Sequence, residues 1–60
     1  MGEKLKAARK AAGLTQAQLA EAIGCKQKDV SRWEAGQIEP GGRIVKKMAQ
    51  VLGCSMDDLV

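Results

Sequence analysis

Apolar positions in this chain recur every three to four residues and never alternate over a strand length, so it reads as all-α. The first predicted helix spans 3–12. Leu5, Ala8 and Ala12 form its inward stripe, Lys4, Lys6 and Lys10 face out, and Gly13 stops it. A second helix spans 16–23, with Leu19 and Ile23 on one side and Ala20 small enough for a neighbour to come close. Thr15 and Gln18 open it with the S/T-x-x-E/Q spacing of a capping box. Gly24 ends it, because the turn needs a residue that tolerates positive φ. A third helix spans 27–35, and Gly36 stops it. Its cap position holds Lys26, which offers no acceptor for the free N–H groups. Cys25, Val30 and Trp33 carry the apolar side past the turn. The loop GQIEPGG follows, broken by Pro40 and its glycines. A fourth helix spans 43–52, with Ile44, Val45, Met48, Val51 and Leu52 at helical spacing and Gly53 as its stop. Ser55 and Asp58 repeat the capping-box spacing and open a one-turn fifth helix with Met56 and Leu59 apolar. No internal repeat, linker or low-complexity tract is read.

Residues 15–36 thus form two short helices joined by a tight turn. This is a helix-turn-helix, whose second helix is built to enter a DNA major groove. On that helix Gln27, Lys28, Asp29, Ser31 and Arg32 are polar and face outward, while Val30 and Trp33 point into the core. Gln27 can pair with adenine N6 and N7, Lys28 and Arg32 can reach guanine O6/N7 or a phosphate, and Asp29 can accept from cytosine N4. Gln16 and the free N–H groups at the start of the second helix could hold a phosphate. The bland alternative is a solvated helix face. Trp33 reads as core and not as a base-stacking platform, since single-strand binders use several aromatics.

Composition narrows the choice. Sixty residues make one domain, 1–60, with a modest core, and Trp33 is the single aromatic, so that core is aliphatic. A net charge of +3 permits a polyanion partner without demanding one. Basic residues gather at Lys4, Lys6, Arg9 and Lys10, at Lys26, Lys28 and Arg32, and at Arg43, Lys46 and Lys47. Two cysteines and no histidine exclude a zinc site of the usual spacing, so no metal is expected. Each cysteine follows a helix-ending glycine, and with no secretory signal both read as reduced, inward-tucked thiols of a cytoplasmic protein. No segment is long or apolar enough to span a membrane. No nucleotide-binding glycine loop and no paired acids on one face are present, so neither an enzyme, a cofactor nor a small-molecule ligand is expected.

From Leu5 to Leu59 the chain resembles the Cro/C1-type (XRE-like) helix-turn-helix domains of phage repressors and related bacterial regulators. The residues that carry the resemblance are LKAARKAAGLTQAQLAEAIG, VSRWEAG, Pro40 and MAQVLGCSMDDL. It implies a five-helix, lambda-repressor-like DNA-binding domain that is usually dimeric. It implies that Gln16 contacts the DNA backbone and supports Gln27, and that Arg9 and Glu34 form a partly buried structural ion pair. Residues of the loop, Gln37 and Gly41 through Arg43, would lie against phosphates. Ile38 and Glu39 stand where that family usually has basic residues, with Arg43 as the compensating cation, and Gly42 stands near the place of a larger apolar residue.

Two functions follow as expectations. One is sequence-specific binding of double-stranded DNA as a transcription regulator of the repressor kind, with contacts from Gln16, Gln27, Lys28, Asp29, Ser31, Arg32 and Arg43. The other is an antitoxin or protein-interaction module on the same fold, favoured by Asp29 and Glu39. A third reading is the N-terminal DNA-binding part of a longer regulator. A homodimer through the last two helices is expected from Met48, Val51, Met56, Leu59 and Val60, which look like more apolar surface than a small domain can hide.

Overall fold

A computed structural model of the chain describes residues 2–59. Its elements are α1 (Gly2–Ala11), α2 (Gln16–Ile23), α3 (Gln27–Glu34), α4 (Gly42–Leu52) and a short 3-10 turn, η1 (Met56–Asp58). Among the described residues the fold is four α-helices and one 3-10 turn, and the expected one-turn fifth helix takes the 3-10 form. Three residues are too few for an α-helical turn to close on itself, and the N–H of Leu59 bonds back to Met56 in 3-10 fashion.

α2 begins as its cap predicts. The Thr15 hydroxyl accepts from the Gln18 N–H at 3.1 Å, and the Gln18 side chain accepts from the Thr15 N–H at 2.8 Å. It ends at Gly24, which is left-handed at φ 77, ψ 27. α3 lacks an N-cap acceptor, as the sequence indicates. The Asp29 carboxylate supplies the reverse half of the box instead, accepting from the Lys26 N–H at 3.3 Å.

The turn after α2 recurs after α4. Ala20, Gly24, Cys25, Asp29 and Val30 of the first corner have counterparts in Ala49, Gly53, Cys54, Asp58 and Leu59 of the second. Both glycines are left-handed, and the Cys25 and Cys54 N–H groups bond to Ala20 and Ala49 at 2.8 and 3.1 Å. Both aspartates accept from the backbone N–H three residues earlier. Val30 and Leu59 are fully buried. The expectation of no internal repeat gives way at this scale: one helix-stop and anchor device is used twice.

Each of the five elements, or its flank, places at least one side chain in the core: Leu5 from α1, Leu19 from α2, Val30 from α3, Met48 from α4 and Leu59 after η1. Complete burial of such a side chain stabilises by about 1.5–3 kcal/mol. α3 packs on α2 and α1, α4 packs on α2, and η1 closes against α4 and α1. Cys25 and Cys54 are free, half-buried thiols that touch the core. No helix among the described residues is long and apolar enough to cross a membrane.

Some side chains sit where the pattern did not put them. Ala12 is exposed, because α1 ends at Ala11 and the chain turns away before the inward stripe reaches it. Val51 is 40% exposed, because Ala49 lies nearer the middle of the buried face of α4. Met48 and Leu59 are fully buried, so they are core and not surplus surface, and Val60 lies outside the described residues.

Gly2 is buried where α1 meets the end of α3. A Cβ there would overlap the Glu34 carbonyl oxygen and come within 2.9 Å of the Trp33 carbonyl oxygen. Both obstacles are backbone and cannot swing aside. Gly2→Ala is expected to lower stability by about 1–3 kcal/mol through overpacking, despite alanine's better helix propensity. Urea unfolding of the variant checks this, and an unchanged midpoint would refute it.

Candidate nucleic-acid interface

α3 is only eight residues long, too short to persist without packing. Val30 and Trp33 supply that packing from one side. Gln27 and Ser31 are one turn apart on the other side, as are Lys28 and Arg32, and all four are exposed. Among the described residues no internal hydrogen bond or ion pair engages these four side chains. They form an uncommitted polar face with two positive charges.

Asp29 differs. It is half-buried, and one carboxylate oxygen is turned back onto the start of its own helix. Gln16 is also half-buried, at the first position of α2. Arg43 is exposed in the first turn of α4, and the capping residue Gly41 leaves that helix end open, with no side-chain cap. Ile38 and Glu39 are exposed in the loop between α3 and α4.

Behind this face lies a polar network. Arg9 Nε donates to Glu34 Oε2 at 2.7 Å, and Arg9 Nη2 donates to Glu34 Oε1 at 3.2 Å. The pair is a two-pronged fork, with side chains only 9% and 4% exposed. Arg9 Nη1 also donates to the Leu14 carbonyl at 2.7 Å. Gln16 Nε2 then donates to Glu34 Oε1 at 3.1 Å. One carboxylate thus ties α1, the start of α2 and the end of α3 together, and no buried polar side-chain atom among the described residues lacks a partner. Sequence reasoning gave neither the Gln16–Glu34 bond nor the Leu14 carbonyl as Arg9's third contact. Both depend on a three-way junction that no local spacing encodes.

Comparison with known proteins shows the family and the fold. The helix-turn-helix family profile matches residues 5–59. The chain is 35% identical over 60 residues to repressor protein C2 of Salmonella phage P22, covering 100% of this chain and 28% of that protein. It is 38% identical over 55 residues to the HTH-type transcriptional regulator DicA of Escherichia coli K12, covering 92% of this chain and 41% of that protein. The chain therefore spans less than half the length of these two relatives. Among solved structures, the P22 c2 repressor in complex with synthetic operator 9T superposes with a TM-score of 0.91 at 34% identity, covering 98% of this chain and 89% of that one. The restriction-modification controller protein C.AhdI from Aeromonas hydrophila gives 0.91 at 30% identity, over 98% of this chain and 86% of that one. Matched over residues 5–59, and at 34–38% identity to these repressors and regulators, the chain belongs to the Cro/C1-type helix-turn-helix family of transcriptional regulators.

Proposed function

We propose that this chain binds double-stranded DNA sequence-specifically, laying α3 in the major groove and acting as a repressor by occupying an operator. The observation that carries this reading is the uncommitted outer face of α3, Gln27, Lys28, Ser31 and Arg32, held rigid from behind by Val30 and Trp33. The similarity to the P22 c2 repressor, solved in complex with a synthetic operator, supports it. Gln27 and Lys28, in the first turn of α3, are the base readers; Ser31 and Arg32 follow one turn later. Asp29 retains one carboxylate oxygen for a cytosine amino group, the other being engaged by its own helix cap. Gln16 and Arg43, each in the first turn of a helix, contact phosphates beside the free N–H groups there. A cytoplasmic location, where the free thiols would stay reduced, goes with this role.

Pairing of two copies through α4 and η1 belongs to the same proposal. It rests on Val51 and Met56, 40% and 42% exposed, and so on less apolar surface than the sequence suggested. So little exposed apolar surface favours self-association on DNA over a permanent dimer. Two half-sites about 34 Å apart would bring the copies together.

The test is duplex binding by variants. Gln27→Ala and Lys28→Ala are each expected to relax preference at one base position by about 1–3 kcal/mol. Gln16→Ala is expected to weaken all duplexes alike. Native affinity should fall steeply with salt, since each phosphate contact releases counterions. Affinity that ignores salt and all three substitutions, with a protein bound tightly by the α3 face, would replace this reading with that of an interaction module.

A further inference from the structure

The Arg9–Glu34 ion pair lies behind α3, and the inference drawn from it rests on the DNA-binding reading above. Glu34 Oε1 receives two bonds, from Arg9 Nη2 at 3.2 Å and from Gln16 Nε2 at 3.1 Å. A carboxylate only accepts, so it fixes which end of the Gln16 amide turns inward. A free glutamine amide can rotate and offer a phosphate either its N–H groups or its oxygen. Phosphate also only accepts, so one of those orientations repels it. Arg9 balances the charge of Glu34 through the fork, so the acceptor stands near the DNA path without adding net repulsion.

We propose that Glu34 is a positioning residue for DNA binding: it locks the Gln16 amide at the start of α2, leaving the second N–H of the same nitrogen for a backbone phosphate. Arg9 takes part by keeping Glu34 oriented and neutralised. The side chain that meets the phosphate is thereby ordered before DNA arrives, and ordering a glutamine at the moment of binding is a cost the complex avoids.

The test is a cycle of duplex affinities at about 150 mM salt (the physiological level), using a duplex selected from a random pool by the native chain. Arg9→Met with Glu34→Met removes both charges together, which spares the fold a stranded ion. In the native background, Gln16→Met is expected to weaken binding about tenfold, as for the loss of one charge-assisted hydrogen bond. In the Met/Met background the same substitution should change affinity by less than about twofold, roughly the change expected for a side chain no longer held in place. An equal loss in both backgrounds overturns the positioning role while leaving the DNA-binding reading intact. A native chain that enriches no duplex overturns that reading first. Should the Met/Met variant not fold, side-chain amide exchange in the native chain decides. The Gln16 Nε2 protons should exchange several-fold more slowly than those of exposed Gln27 and Gln50, and equal rates overturn the proposal.

Discussion

Replacing Trp33 with alanine is expected to unfold the domain. Trp33 is the chain's single aromatic residue and 6% exposed, packed with Val30 in the core on the buried side of α3. Its loss leaves a large cavity, and truncations of this kind cost about 3–5 kcal/mol. A single core of this size rarely supplies more than about 3–5 kcal/mol in total. Circular dichroism of Trp33→Ala at 25 °C should therefore show lost helix, and binding should fail because the structure fails. Trp33→Phe keeps most of the volume and should fold with a lowered melting temperature. A Trp33→Ala chain that melts like the native one would mean that α3 is anchored elsewhere.

The second large effect concerns Arg9. Arg9→Met removes the fork from the Glu34 carboxylate, whose side chain is 4% exposed, leaving Gln16 as its one side-chain donor among the described residues, and it takes the Arg9 donor from the Leu14 carbonyl. Stranding a buried charge in this way costs about 3–5 kcal/mol. The paired replacement of Arg9 and Glu34 by methionine should restore most of that loss, because two apolar side chains of similar size leave nothing unpaired. Urea unfolding of the native chain, both single variants and the pair gives the coupling directly. A near-zero coupling would make this an ordinary surface pair, worth under about 1 kcal/mol.

What could be read ahead of the structure divides along physical lines. The limits of α2 were legible because they are local: Thr15 bonds Gln18 three residues on, and Gly24 answers a demand of its own φ. The amphipathic face of α3 was legible because Val30 and Trp33 sit one turn apart. The Arg9–Glu34 pair came only through the family resemblance, since nothing in either residue's neighbourhood names the other. Gly2 was invisible, because its importance lies in a side chain it lacks, against a backbone far away in sequence. On the sequence alone Asp29 is an outward polar residue of a polar helix face, yet the missing cap at Lys26 gives its carboxylate a nearer partner. Apolar character alone could not separate Met48 and Leu59, which are core, from Met56, which is exposed. The fold does that, by closing η1 over α4 and α1.

The exposed apolar residues follow the same division. Ile38 lies in the loop between α3 and α4 and is 46% exposed. Single exposed apolar side chains are common on soluble domains and require no partner. Val51 and Met56 gain meaning only if two copies meet there, and half-site spacing on DNA reports that.

The most direct measurement is selection of bound sequences from random duplex DNA at physiological salt. The outward face of α3 predicts enrichment of a defined sequence, and pairing of two copies adds a second half-site about one helical turn away. It further predicts that Gln27→Ala shifts the enriched base at one position per half-site. A pool that stays random after repeated selection, with the native chain folded and intact, would contradict the account.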